Sequence, residues 1–205
     1  MSETPFLRST ESLSAASSLL VIVDVQERLV PQIDNSDAVV DQCKRLLRGA
    51  GIFGVPGVVT EQYPRGLGAT VPAISQFVPA SDAPATPAAA AVVRTDKLRF
   101  SAAEATGWPA AGDRDDGRHQ VVVAGLETHI CVLQTSLDLL SQGYRVFVAG
   151  DATGSRRAFD RDAAFNRLRD HGVIVTTVES ILFEWCELAG TDRFRQLRDL
   201  VKEPL

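Results

Sequence analysis

The chain is short of three things: cysteine, basic charge and long apolar runs. Its three cysteines, Cys43, Cys131 and Cys186, are odd in number and widely spaced. That argues against a disulfide framework and against a zinc site of paired cysteines, and it points to a reducing cytosol. Lys and Arg number 21 against 26 Asp and Glu, a net charge of -5, and the isoelectric point is near 5.2. Phosphate backbones and anionic lipid demand clustered cations, so neither nucleic acid nor a membrane is expected as a partner. The apolar run Leu19 to Val23 stops at Asp24, well under the roughly 20 residues of a membrane span and too short for an export signal. A glycine-rich turn is also missing after that run, where the chain reads DVQERL, so a nucleotide-phosphate cradle is not expected.

What is present is globular in composition, 45% hydrophobic and 23% charged, and 205 residues suffice for one domain with a core that needs no staples. Residues 1–205 are read as that single domain, with 1–17, mixed in charge and Ser-rich, as a loosely ordered N-terminal arm. VPASDAPATPAAAA, from Val78 to Ala91, reads as an irregular surface connection.

Ser18 to Val25 (SLLVIVDV) is the pattern of a strand buried on both faces of a parallel sheet. Similar short runs follow at Val55–Thr60, Ala91–Thr95, Gln120–Gly125, Arg145–Gly150 and Val173–Val178. Between them, helical stripes are expected at Asp37–Ala50, Thr128–Gln142 and Ala158–Asp170, with a further helical stretch from Ser180 to Lys202. Strands alternating with helices predict an α/β protein, a Rossmann-like three-layer α/β/α sandwich on a mostly parallel six-stranded sheet.

In such sheets ligands bind beyond the carboxyl ends of the strands. Asp24 closes the first expected strand, and Lys97 and Cys131 follow the third and fourth, which places an acid, a cation and a thiol at one edge. With Thr128 as N-cap, Cys131 would be the third residue of its helix, where unsatisfied N–H groups and the helix dipole favour thiolate and can hold an oxyanion. Asp24 can take the thiol proton while Lys97 orients both anions. Thiolate attack on an amide-like carbonyl, loss of the amine with a proton from Asp24, and hydrolysis of the thioester by water need no metal or cofactor.

LLVIVDVQERLV around Asp24, RTDKLRFSA around Lys97 and VVVAGLETHICVLQTSLDLLSQGYRVFVAGDATGSR around Cys131 resemble the isochorismatase-like hydrolases, over nearly the whole chain. TEQYPRGLGATVP at Thr60–Pro72 and the KEP at 202–204 are most similar to the isochorismatase domain-containing hydrolases of unassigned substrate. The resemblance implies a cysteine hydrolase acting on a C–N bond of a small amide-type substrate, with a Cys131–Asp24–Lys97 triad. It further implies a cis Leu126–Glu127 bond, an oxyanion hole from the N–H groups of Glu127 and Cys131, and a homo-oligomer, dimer or tetramer. Two departures bear on substrate. Nicotinamidases of this family set an Asp and two His for a metal after the second strand, where this chain has Glu61, Gln62, Tyr63 and Pro64. Isochorismatases proper lack the nucleophilic cysteine.

Gln26, Glu61, Gln62, Tyr63, Phe100 and Thr128 lie near the same edge and are candidate substrate contacts, although Glu61 to Tyr63 equally fit a plain surface loop. The bland alternatives are a core cysteine, a capping aspartate and a solvated lysine. Cys43 and Cys186 read as structural, His119 and His171 as solvated, and His129 as a poor base, being two residues from Cys131. Asp151 and Arg156 read as loop organisers or subunit bridges. A rival reading from another class is a catalytically idle, oligomeric binding or scaffold protein.

Overall fold

In a computed structural model, which describes residues 7–78 and 92–203, six parallel strands make one sheet. They are β1 (Ser18–Val23), β2 (Gly57–Gln62), β3 (Val92–Lys97), β4 (Gln120–Leu126), β5 (Arg145–Gly154) and β6 (Ile174–Thr176). Their order is β3-β2-β1-β4-β5-β6, so the chain reverses direction across the sheet between β1 and β4. A crevice opens where the crossovers leave to opposite sides at such a switch point. The connection Val78–Ala91 falls, beyond Val78, outside the described residues.

Period-two alternation divides β1 between two cores. Leu20 and Ile22 face one with Cys43, Leu46 and Leu47 of α1 (Ser36–Phe53), together with Ile181 and Leu182 of α6 (Val178–Cys186) and Leu197 and Leu200 of α7 (Asp192–Lys202). Leu19, Val21 and Val23 face the other, with Leu133 and Leu139 of α4 (Leu133–Ser141) and Leu168 of α5 (Ala158–Asp170). Burying each of these aliphatic side chains stabilises the fold by about 1.5–3 kcal/mol. Two short helices, α2 (Pro64–Leu67) and α3 (Pro72–Ser75), follow β2.

The expected elements are present with shifted ends. α1 runs through Gly49 and Gly51 and stops at Gly54, whose φ of 72° lets its N–H close onto Ala50 O. β2, β3 and β5 extend past their predicted ends, so Glu61, Gln62 and Lys97 belong to strands rather than to loops after them. The C-terminal helical stretch is two helices, because Thr191 caps a fresh start by accepting from Phe194 N–H. The segment expected as a loose arm is docked from residue 8. Leu13 is fully buried, its N–H donates to Glu184 at 2.5 Å, and Ser14 N–H donates to Gln120 Oε1 at 2.8 Å.

Candidate functional site

β1 delivers Asp24 to the sheet edge in a left-handed turn, φ 49°, with its N–H held by Thr60 O at 3.1 Å. The carboxylate is fully buried. Its Oδ1 accepts from Thr60 Oγ1 at 2.7 Å, and its Oδ2 lies 2.7 Å from the Lys97 ammonium at the end of β3. Lys97 Nζ donates to Gln62 Oε1 at 2.7 Å, Phe100 O at 2.9 Å and Arg99 O at 3.2 Å. An ammonium has three protons, and Asp24 Oδ2, as close as Gln62 Oε1, shares them with these three carbonyl oxygens. The carboxylate keeps lone-pair capacity for another proton.

β4 brings the thiol. Gly125 has φ 111°, and a Cβ there would sit 2.0 Å from Val23 O, so only glycine lets β4 lie this close to β1 at the switch point. The Leu126–Glu127 peptide bond is cis. The chain then enters a π-helical turn, Thr128–Val132, before α4 begins. Glu127, with extended backbone, holds the cap position expected for Thr128, and Thr128 Oγ1 is instead buried without a partner. Cys131 is the fourth residue of the turn, not the third of an α-helix, and is 6% exposed. Glu127 O accepts from Ile130 and Val132 N–H at 3.1 and 3.2 Å. The Glu127 N–H donates to no backbone acceptor among the described residues.

Burial dominates the electrostatics. It pushes the Cys131 thiol up to about 12, reinforced by the negative charge of Asp24 and opposed by Lys97. Against the thiolate expected at a helix start, burial and the neighbouring carboxylate both favour the thiol. Burial also raises the Asp24 carboxyl, against the lowering influence of Lys97, Thr60 and Cys131. The resting arrangement is a thiol beside a carboxylate made more basic than usual.

The other candidates divide. Gln26 is fully buried and clamps backbone: its Oε1 accepts from Gln62 N–H at 2.8 Å, and its Nε2 donates to Gln62 O and Gly68 O. Its amide is thereby occupied by the fold and not available to substrate. Glu61 binds Thr70 N–H and Oγ1 at 2.7 and 2.6 Å, and Gln62 holds Lys97. Tyr63, 52% exposed, lines a depression of about 440 Å³ with Pro64, Arg65, Asp96, Lys97 and Leu98. Across Lys97 and Leu98 lies a second, of about 350 Å³, reaching Ser101 and Glu104. Phe100 joins the site through its carbonyl, its ring being 54% exposed. Trp108 packs against Tyr144, and His129 Nδ1 meets Ser155 Oγ at 3.0 Å.

Thr60 escaped the sequence reading, and Arg156, read there as a loop organiser or subunit bridge, has a partner that reading did not supply. Thr60 sits opposite Val23 in the β1–β2 register and binds Asp24; the hydroxyl ending the apolar run VVT was its only signal. Arg156 donates through its backbone N–H and its Nε to Glu127 Oε2 at 3.1 and 3.0 Å, a pairing between segments 29 residues apart that no local pattern discloses. Asp151, expected in a loop, lies within β5 and accepts from Val178 N–H at the start of α6 at 2.9 Å. Among the described residues, no three His, Cys, Asp or Glu side chains gather around a metal-sized site.

This arrangement has counterparts. The isochorismatase domain model matches residues 18–180, which include Asp24, Lys97 and Cys131. The chain belongs to the isochorismatase domain family. Isochorismatase domain-containing protein 1 of Danio rerio is 36% identical over 93% of this chain and 63% of its own length, so the chain spans under two thirds of that relative. Isochorismatase domain-containing protein 2A of Mus musculus is 35% identical over 92% of this chain and 84% of its own. Among solved structures, the MAR1 ribonuclease of Caenorhabditis elegans superposes with a TM-score of 0.79 at 30% identity, covering 95% of this chain and 98% of the other. The six-stranded parallel sheet with its flanking helices is shared across this isochorismatase-like group.

Proposed function

We propose that this isochorismatase-family chain is a cysteine hydrolase that cleaves a C–N bond of a small amide-type substrate through Cys131, Asp24 and Lys97. The observation that carries the reading is the Asp24–Lys97 ion pair, 0% and 3% exposed at the side chains, set beside a buried thiol at the switch point. Burying two charges costs several kcal/mol per ion, and an apolar pair would be at least as stable. Charge kept there fits chemistry better than folding.

In this mechanism the thiol, held protonated by its surroundings, loses its proton to Asp24 Oδ2 as sulfur attacks the carbonyl carbon. The N–H groups of Glu127 and Cys131 receive the oxyanion. Collapse expels the amine with the proton returned by Asp24, leaving a thioester, and Asp24 then activates the water that hydrolyses it. Lys97 stabilises the anionic partners throughout. No step calls for a metal or cofactor. The two depressions lined by Lys97 and Leu98, one of them also by Tyr63, are the candidate places for a small substrate.

The free thiols fit a reducing cytosol, and among the described residues no helix is long and apolar enough to cross a membrane. One relative, 36% identical, is named a secreted isochorismatase effector of Phytophthora sojae, so fractionation is the test of location. We expect a homo-oligomer, dimer or tetramer; the YcaC structure of Escherichia coli, 21% identical, is an octamer, and light scattering decides the order.

The decisive test is iodoacetamide labelling of the three cysteines across pH, by peptide mapping, with a screen of small amides and an RNA oligonucleotide alongside. Cys131 labelled faster than Cys43 and Cys186 and slowed by Lys97→Ala, with amide turnover lost in Asp24→Ala, supports the hydrolase. Equal, slow labelling of all three favours the idle scaffold. Cleavage of RNA without amide turnover favours the activity named in the Caenorhabditis relative.

A further inference from the structure

The π-helical turn that carries Cys131 is tied to the loop between β5 and α5 at two adjacent points. Glu127, at the head of the turn, has a buried carboxylate, 7% exposed. Its Oε2 receives the backbone N–H of Arg156 at 3.1 Å and the guanidinium Nε at 3.0 Å. Two residues on, His129 Nδ1 meets Ser155 Oγ at 3.0 Å. These ties add to the packing of the turn against β4, α4 and α5. Glu127 O takes the two turn-forming N–H groups of Ile130 and Val132, while the Glu127 N–H donates to no backbone acceptor among the described residues. Thr128 Oγ1, next in the chain, is buried without a partner. A buried carboxylate is costly unless paired and hydrogen-bonded, and a charge-assisted bidentate contact to one oxygen has narrow geometry. Holding the Glu127 side chain therefore also holds its backbone amide.

We propose that Arg156 is a positioning residue: through its two hydrogen bonds to the Glu127 carboxylate it aims the Glu127 N–H at the oxygen of a carbonyl under attack by Cys131. The inference rests on the reading of Cys131 as nucleophile and adds to it a residue that touches neither sulfur nor substrate. Arg156 is itself 56% exposed, so its side chain is not a core element and its loss leaves the hydrophobic layers intact.

The test separates attack on a carbonyl from reaction of the thiol in general. A small aldehyde, isobutyraldehyde, adds reversibly: a bond forms between Cys131 sulfur and the carbonyl carbon, the carbonyl π pair moves onto oxygen, and the thiol proton ends there as the hemithioacetal hydroxyl. Iodoacetamide is a displacement in which sulfur bonds to the methylene carbon and iodide leaves, with no oxyanion. Aldehyde affinity is read as protection of Cys131 from iodoacetamide. For Arg156→Ala, which keeps the backbone N–H bond to Glu127 and removes the guanidinium one, we expect aldehyde affinity to fall about tenfold, the scale of a misaligned oxyanion donor at the weak end, while the alkylation rate changes by less than about threefold. Arg156→Lys, which returns one cationic donor to Glu127, recovers part of the loss, and Glu127→Gln, which keeps an acceptor but loses the charge, falls between.

Aldehyde affinity unchanged in Arg156→Ala overturns the positioning role. So does an equal fall in both readouts, which marks a general disturbance of the site. If wild-type Cys131 reacts no faster than Cys43 with iodoacetamide, the nucleophile reading has failed and the positioning role falls with it, and this outcome is visible before any variant is made.

Discussion

Cys131 and Cys43 stand on opposite faces of the same sheet, and burial pushes both thiols up to about 12. Cys43 is fully buried in the core of α1, α6 and α7; its Sγ donates to Ala152 O at 3.4 Å, and the charge of Asp151 adds to burial in raising it. Cys131 is nearly as buried but has Asp24 and Lys97 acting on it. Desolvation beside a carboxylate makes an inert thiol; what separates a candidate nucleophile from core filler here is the buried Lys97 cation, which lowers the thiol pKa and holds the thiol together with Asp24.

The contrast breaks most sharply at the base. Asp24→Ala is expected to lower turnover of an amide substrate at Cys131 by about 100-fold, the lower end of general-base effects, and to leave labelling of Cys43 as it was. Equal rates at Cys131 in both proteins would place Asp24 outside the proton transfer. Lys97→Ala addresses the cation. It leaves Asp24 buried and unpaired, a loss of about 3–5 kcal/mol at neutral pH by denaturant unfolding. The folded-state pKa of Asp24 is already raised and rises further without Lys97, so the folded variant binds more protons than the unfolded chain as pH falls. Its deficit should shrink on acidification, and a deficit independent of pH would assign the loss to packing.

On the other face, Leu46→Ala removes a fully buried side chain of the Cys43 core. It is expected to cost about 2–5 kcal/mol, with Cys131 labelling unaltered in the folded protein; slowed labelling would show that the two faces are coupled. The smallest effect is at high pH. A folded thiol near 12 against an ordinary value of 9.0 gives a stabilisation present below pH 9 and lost as pH rises toward 12. Cys43→Ala should lose stability less steeply than wild type between pH 9 and 11 in thermal melts, and identical slopes would deny Cys43 its raised value.

Much of the fold is legible along the chain. SLLVIV and QVVVAG read as strands buried on both faces and are, and the stripe Val39, Cys43, Leu46, Leu47, Ala50 is the buried face of α1. Strand ends were less legible, because β2 and β3 continue as polar residues, Glu61, Gln62 and Lys97, buried by neighbours distant in sequence. The start of the Cys131 turn was misread for a related reason. Thr128 has the chemistry of an N-cap, yet the π-helical turn sets Glu127 at that position. The substrate reading of Gln26 met the same limit, since an amide beside a strand end looks identical in sequence whether it faces a ligand or binds Gln62 and Gly68.

From sequence alone came the alternation of strand and helix, the two-faced burial of the central strands and the arrival of Asp24, Lys97 and Cys131 at strand ends, because periodicity and side-chain chemistry are local properties. Only the tertiary structure decided the strand order that brings β3, β1 and β4 to one edge, the Asp24–Lys97 contact, the clasp of Arg156 on Glu127 and the protonated state of the thiol. Each depends on how deeply a group is withdrawn from water and which charge lies beside it, and both are set by segments far apart in the chain.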